Sequence, residues 1–188
     1  MSTTSRIAVI TGASSGIGAA TARALAADGY RVALLARRLD RRLDRIETLA
    51  RELDNGSIAI QADVTDRDQL LAAAERVRTE LGGADVLINN AGVMLLGPFS
   101  SARRDDYRAM IEANLLGAIT TTEVFLGQLT DGGGDLINIS SVAGRTARAG
   151  NGPRPPGLAR PRARRGHRRP GPRGDRHPRA RAHGSAVR

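Results

Sequence analysis

Residues 11–18 have the types and spacing of a turn that binds phosphate groups. They read Thr-Gly-Ala-Ser-Ser-Gly-Ile-Gly, after the apolar run Ile7–Ile10 and before an alanine-rich run at helical spacing. Glycine lets the backbone approach a diphosphate closely, and a helix N-terminus offers free N–H groups and a positive dipole end. A structural turn in an ordinary α/β domain is the alternative. The pattern predicts a dinucleotide site at Thr11, Gly12, Ser14, Ser15, Gly16, Ile17 and Gly18.

Two arginines follow the second predicted strand, at the point where the adenosine ribose of a bound dinucleotide lies. They are Arg37 and Arg38, and the first acidic residue after the strand is Asp40. An acid here accepts a hydrogen bond from the ribose 2′-hydroxyl of NAD, whereas an arginine can pair with the 2′-phosphate of NADP. We therefore predict NADP(H) rather than NAD(H) as the cofactor. The alternative is that both arginines belong to the solvated start of the next helix.

Polar residues also follow the third, fourth and fifth predicted strands. They occur as Asp63-Val64, as Asn89-Asn90-Ala91-Gly92, and as Ser141 within Asn138-Ile-Ser-Ser-Val-Ala-Gly144. A doubly wound sheet binds ligands at the carboxyl ends of its strands, where these residues are expected. Each also has a structural explanation, because Asp63 suits a turn or cap and asparagine amides satisfy backbone groups in turns.

The elements that must position these residues alternate between strand and helix. Such alternation predicts an α/β fold with a doubly wound, Rossmann-like parallel sheet of five strands in the order 3-2-1-4-5. In the long helix, an apolar stripe that includes Asn114 is expected to be buried, and a buried amide needs partners. The stripe is Tyr107, Met110, Ile111, Asn114, Leu115, Ala118 and Ile119. The predicted strands are 7–10, 31–36, 57–61, 85–89 and 135–139. The predicted helices are 17–29, 40–54 and 104–129, together with a helix after the third strand that Asp66 caps.

Taken together, these motifs resemble the short-chain dehydrogenase/reductase family over residues 1–152. The resemblance implies NAD(P)-dependent oxidation of alcohols or reduction of carbonyls, a small-molecule substrate, and a homo-oligomer in the intact family. It implies that Asp63 and Val64 contact the adenine, and that Asn90, Ala91 and Gly92 line the adenosine side of the cofactor. It further implies that Asn114 holds a water in a proton relay and that Ser141 orients the substrate oxygen.

One part of the family's pattern is missing from the sequence. The family moves the substrate's hydroxyl proton with Tyr-x-x-x-Lys, expected near positions 154 and 158, where this chain has Arg154 and Leu158. Its two tyrosines are Tyr30 and Tyr107, and it has no lysine. Arginine is a poor substitute because its guanidinium geometry differs from that of an ammonium group. We expect an inactive oxidoreductase, with a non-catalytic dinucleotide-binding module as the alternative.

The composition changes abruptly near residue 152. Residues 1–150 hold 17 arginines and 18 acids, whereas residues 151–188 hold 12 arginines, one acid and seven of the eight prolines. Such a segment cannot bury enough apolar surface to order itself, so residues 153–188 are predicted to be a disordered basic tail. Our hypothesis is that it is an out-of-frame reading that truncates the family's domain. A nucleic-acid-binding arm is the alternative, although the segment lacks aromatic residues for base stacking.

The remaining expectations concern the environment of the protein. The chain has no cysteine, which excludes disulfides and thiolate metal sites. Its uninterrupted apolar runs are short and its first residues lack a signal-peptide pattern, so we expect a cytoplasmic protein without membrane contact. A truncated domain leaves the fifth strand as an edge and one side of helix 104–129 uncovered, which predicts poor solubility.

Overall fold

The computed structural model describes residues 5–37, 42–95 and 102–141. Its five parallel strands form one sheet in the order β3-β2-β1-β4-β5, as predicted. The strands are β1 (Ile7–Thr11), β2 (Arg31–Ala36), β3 (Ile58–Gln61), β4 (Val86–Asn89) and β5 (Asp135–Asn138). The helices are α1 (Gly16–Ala27), α2 (Arg42–Leu53), α3 (Arg67–Arg76), α4 (Arg104–Ile111) and α5 (Gly117–Gly132), with π-helical turns at Val77–Leu81 and Glu112–Leu116.

The core consists of two apolar layers, one on each face of the sheet. Alternate side chains of β1 and β2 enter opposite layers, and both strands are almost wholly buried because helices cover both faces. One layer joins Val9 and Leu35 to α3 and α5, through residues such as Leu70 and Phe125. The other joins Ile10 and Leu34 to α1 and α2. This arrangement is the predicted doubly wound fold.

Local signals set the helix ends close to the predicted positions. Helix α1 ends at Ala27, and Gly29 follows at φ +86°, a conformation that glycine adopts without strain. Helix α3 begins after Asp66, whose Oδ1 accepts hydrogen bonds from the backbone N–H groups of Asp68 and Gln69 at 3.1 Å. Those bonds, led by the one from Gln69, lower the pKa of the Asp66 carboxyl.

The prediction of which side of the long helix is buried was wrong. Ile111, Leu115 and Ile119 are 53%, 55% and 47% exposed, and Asn114 is also exposed, whereas Tyr107, Met110 and Ala118 are half-buried. The helix instead packs on the sheet through a stripe that combines small residues with Phe125 and Leu129. A Cβ on Gly117 would lie 2.8 Å from Cγ2 of Val64, so the helix approaches too closely for a larger residue. The buried stripe is Ala113, Gly117, Thr121, Phe125 and Leu129.

By length and composition alone, the helical run 104–132 could also cross a membrane. It is 29 residues long, and its most apolar 18-residue window has a mean hydropathy of 1.2 and is 22% buried. Within the described ranges it is the one helix that meets these limits of length and composition. A helix that covers a sheet meets the same limits, and here Phe125 and Leu129 lie in the core of the domain.

Candidate functional site

A cleft of about 300 Å³ opens at the carboxyl ends of β1 to β4. Most of the predicted cofactor residues meet there, because parallel strands end at one edge of the sheet. Four small or apolar residues outside the predicted site complete the wall, namely Ala36, Ala62, Val93 and Ala113. The predicted residues that line it are Gly12, Ser14, Ser15, Ile17, Arg37, Asp63, Val64, Asn90, Ala91 and Gly92.

The three glycines of the turn are required for different structural reasons. A Cβ on Gly12 would lie 2.8 Å from Cα of Ala91, and one on Gly18 would lie 2.5 Å from Nδ2 of Asn90. Both glycines therefore allow the turn to pack against the segment that follows β4. Gly16 has φ +58° and open space beside it, so its backbone conformation explains its identity.

Thr11 and Asn90 join the glycine turn to the end of β4. Oγ1 of Thr11 accepts hydrogen bonds from the backbone N–H groups of Asn90 and Ala91, each at 3.0 Å. In return, Nδ2 of Asn90 donates to the carbonyl oxygens of Thr11 and Gly12 at 2.9 and 3.2 Å. Thr11 is 1% exposed and does not line the cleft, so it supports the site from within the protein.

The first turn of α1 faces the cleft with properties that suit an anion. Ser15 precedes the helix with an extended backbone, and its side chain makes no capping hydrogen bond in the described part of the chain. The first turn contains no acidic residue. Its backbone N–H groups and the positive end of the helix dipole therefore remain available to a negatively charged group.

Arg37 and Asp63 lie beside each other where β2 and β3 end. Nη1 of Arg37 is 3.8 Å from Oδ2 of Asp63, and both residues line the cleft. Oδ1 of Asp63 accepts from the backbone N–H and the hydroxyl of Thr65 at 3.0 and 2.8 Å, which is the turn role that the sequence allowed. Arg38 lies outside the described residues.

Asn114 lies in the second π-helical turn and holds the backbone of Val93. Its Oδ1 accepts from the Val93 N–H at 2.7 Å, and its Nδ2 donates to the Val93 carbonyl at 2.8 Å. A Cβ on Gly92 would lie 3.0 Å from Oδ1 of Asn114, so the glycine permits this approach. The amide has partners as predicted, although it is exposed rather than buried. Helical periodicity misses the π turn, a feature often found at functional sites.

The end of β5 is fixed by Asn89, the first residue of the Asn89-Asn90-Ala91-Gly92 motif. Nδ2 of Asn89 lies 3.0 Å from both Oγ1 of Thr122 and Oδ1 of Asn138. The carbonyl of Asn89 accepts from the Ile139 N–H at 2.9 Å, which extends the β4–β5 ladder beyond the strand. Ser141 follows this anchored segment, is exposed, and is not among the residues that line the cleft.

The model of the short chain dehydrogenase family matches residues 6–153. That match covers well over half of the chain. The chain belongs to the short-chain dehydrogenase family. The matched region ends next to the position where the composition changes, and residues beyond 153 lie outside it.

Individual proteins and structures agree with membership of the short-chain dehydrogenase family. An uncharacterised oxidoreductase of Staphylococcus saprophyticus is 36% identical over 148 residues, which are 78% of this chain and 58% of that protein. Glycine betaine reductase ATRR of Emericella nidulans is 38% identical over 151 residues, 78% of this chain but 12% of the relative. The chain therefore spans little more than half of the bacterial oxidoreductase.

Two solved structures of similar chains carry nicotinamide dinucleotides. A blue fluorescent protein from a metagenomic library, in complex with NADPH, has a TM-score of 0.71 and 38% identity, covering 78% of this chain and 60% of that one. An alcohol dehydrogenase from Thermococcus sibiricus, complexed with 5-hydroxy-NADP, has a TM-score of 0.69 and 38% identity. The match covers 77% of this chain and 62% of the alcohol dehydrogenase chain. A nicotinamide dinucleotide is thus the cofactor type found in structural neighbours.

Proposed function

We propose that the cleft binds NADP(H), and that the chain derives from an oxidoreductase acting on small alcohols or carbonyl compounds. The observation that carries the proposal is the convergence of the glycine turn, the uncapped start of α1 and the Arg37 guanidinium on one cleft. A dinucleotide needs an anion site for its diphosphate and, if it is NADP, a cation for its 2′-phosphate. The glycine turn and Arg37 would meet both needs.

The contacts of the described residues support one orientation of the dinucleotide. The diphosphate would bind the backbone of the glycine turn at Ser14 and Ser15, and the 2′-phosphate would pair with Arg37. The adenine would lie near Asp63 and Val64 at the end of β3, and Asn90, Ala91 and Gly92 would line the adenosine side. The hydrogen bonds between Asn90 and Thr11 would keep this wall fixed when the ligand enters.

Ser141 and Asn114 would act on the substrate side of the site. A nicotinamide dinucleotide supplies hydride transfer when it is bound. Ser141, after the end of β5, would orient the substrate oxygen with its hydroxyl. Asn114 would act by holding the segment at Val93, because both polar atoms of its amide are bonded to that backbone.

We propose that this chain binds the cofactor without turning over a substrate. Reduction of a carbonyl requires a group that gives a proton to the oxygen, and oxidation requires one that takes it. The sequence has Arg154 and Leu158 where the family has its tyrosine and lysine, and it contains no lysine. A serine hydroxyl alone is a weak acid and does not replace that pair.

The experiment combines a binding measurement with an activity measurement on the full chain. Calorimetric titration with NADPH and with NADH should show binding, with NADPH the tighter ligand. An assay of NADPH oxidation over a panel of aldehydes and ketones should show no turnover above background. Failure to bind either nucleotide would contradict the proposed cofactor site, and rapid carbonyl reduction would contradict the proposed inactivity.

A sequencing experiment tests the proposed origin of the C-terminal segment. Arginine, proline, glycine and alanine are encoded by GC-rich codons, so a shifted reading of a GC-rich gene yields such a composition. Resequencing of the coding DNA should reveal a frame that encodes Tyr-x-x-x-Lys shortly after codon 152. If the alternative frame is intact and lacks that motif, the out-of-frame hypothesis is wrong.

A further inference from the structure

The position of Asp63 bears on how strongly the cleft distinguishes NADP(H) from NAD(H). Its Oδ2 lies 3.8 Å from Nη1 of Arg37, the cation assigned above to the 2′-phosphate. The two side chains are 36% and 27% exposed, so solvent screens the pair only in part. A carboxylate therefore stands next to the group that is proposed to recognise a second anion.

The Asp63 carboxylate is held in place independently of Arg37. Its other oxygen, Oδ1, accepts from the N–H and hydroxyl of Thr65 at 3.0 and 2.8 Å. The backbone N–H of Asp63 donates to Oε1 of Gln69 at 3.0 Å, and Nε2 of Gln69 donates to Oδ2 of Asp66 at 2.7 Å. The negative charge at Oδ2 is thus fixed by the turn between β3 and α3.

The distance between the two side chains indicates a Coulombic contact rather than a shared hydrogen bond. At 3.8 Å the Arg37 and Asp63 atoms are farther apart than a hydrogen bond allows. Among the described residues none accepts a hydrogen bond from the guanidinium, and Asp63 contributes mainly its charge. That charge attracts Arg37 and repels a phosphate bound to the opposite side of the guanidinium.

We infer that Asp63 lowers the preference for NADP(H) by opposing the 2′-phosphate across Arg37. The inference rests on the proposed function, because it takes Arg37 as the group facing the 2′-phosphate. A ribose 2′-hydroxyl carries no charge, so Asp63 disfavours NADP(H) selectively. Asp63 is then a specificity-determining residue, and because of it the cleft also accepts NAD(H).

The test is the ratio of the dissociation constants for NADH and NADPH, measured calorimetrically on the full chain at low ionic strength. Asp63→Asn removes the charge but keeps an oxygen that can accept from Thr65. This variant should raise the ratio by about 3- to 10-fold, the effect of one partly screened charge at this range. Any contact of residue 63 with the adenine affects both nucleotides equally and cancels in the ratio.

Three further variants test the preference at Arg37 and the location of the charge. Arg37→Ala should bring the ratio to one or below, because the repulsion by Asp63 then has no opposing attraction, and adding Asp63→Asn to it should bring the ratio back towards one. Asp135→Asn makes the same charge change at the opposite edge of the sheet, beside Arg6, and should leave the ratio unchanged. Thermal unfolding of each variant checks that the fold is retained.

The outcomes separate this inference from the proposal beneath it. An unchanged ratio in a folded Asp63→Asn protein that still prefers NADPH overturns the role of Asp63 alone. A lower ratio also overturns it, because Asp63 would then position Arg37 for the phosphate. If the wild-type chain binds neither nucleotide, the proposed cofactor site and this inference are both wrong.

Discussion

The glycine turn packs so closely against the segment after β4 that a Cβ atom on Gly12 or Gly18 has no room. A Cβ at position 18 would lie 2.5 Å from Nδ2 of Asn90 and 2.6 Å from the carbonyl oxygen of Gly12. The Asn90 amide at this point also bonds to the backbone of Thr11 and Gly12. Stability and the proposed cofactor binding therefore share the same few atoms.

Gly18→Ala should lower the free energy of unfolding by about 1–3 kcal/mol, because overpacking displaces the Asn90 amide from its carbonyl partners. It should also weaken NADPH binding. Gly127→Ala is the matched control, since Gly127 lies in α5 with open space beside it. There the same substitution should stabilise the protein by about 0.5–1 kcal/mol. Equal effects at the two positions in chemical denaturation would contradict the packing argument.

Thr11→Val should destabilise the protein by about 1–3 kcal/mol, because it replaces the hydroxyl with a methyl group of similar size and leaves two backbone N–H groups unpaired. Those groups belong to Asn90 and Ala91. Thr11→Ser keeps the hydroxyl and should retain more stability and more affinity for NADPH. A valine variant as stable as the serine variant would show that the buried hydroxyl does not hold the segment.

At the scale of the elements, hydrogen bonds at the start of α3 connect the Asp66 cap to the turn that contains Asp63. Asp66 caps the helix and bonds to Gln69, which in turn accepts from the backbone N–H of Asp63. The charge on Asp66 thus supports both the helix and the wall of the cleft. The hydrogen bonds that it accepts favour its ionised form, which lowers its pKa.

This lowered pKa predicts a pH dependence of stability. Because the Asp66 pKa is below its ordinary value of 3.8 in the folded protein, its stabilising effect is present above that pH. The effect should decrease as the pH falls through 3.8 towards the folded-state pKa. Urea unfolding of wild type and Asp66→Asn should therefore differ most near neutral pH and converge in acid. A difference that grows in acid would contradict the sign.

At the scale of the whole molecule, the described residues leave several large apolar side chains exposed on α5 and β5. Ile119 and Leu126 of α5 are 47% and 51% exposed and lie on the side facing away from the core. Leu136 and Ile137 of β5, at the edge of the described sheet, are 45% and 44% exposed. Exposed large apolar side chains favour self-association.

We expect the wild-type chain to elute from size-exclusion chromatography as large or heterogeneous species. The double variant Ile119→Gln, Leu126→Gln should shift protein towards the monomer while NADPH binding is retained, because neither residue lines the cleft. Leu71→Gln replaces a leucine of 46% exposure on α3 and serves as the control. A sharp monomer peak from the wild type would contradict the expectation.

Local patterns in the sequence were sufficient to predict the strands, their order, the glycine turn, the position of Arg37 and the Asp66 cap. Periodicity and turn chemistry depend on neighbours along the chain, so they can be recognised without the fold. The family also followed from motifs at fitting distances. These features establish which ends of which strands form the cleft.

Tertiary structure decided which surfaces and atoms meet across the chain. The π turn at 112–116 and the close approach of Gly117 to Val64 determine the buried side of α5, and no periodic pattern encodes either. The contact between Arg37 and Asp63 likewise depends on neighbouring strands ending at the same edge. Burial and charge pairing are properties of residues brought together in space, and the sequence alone specifies only the residues available for them.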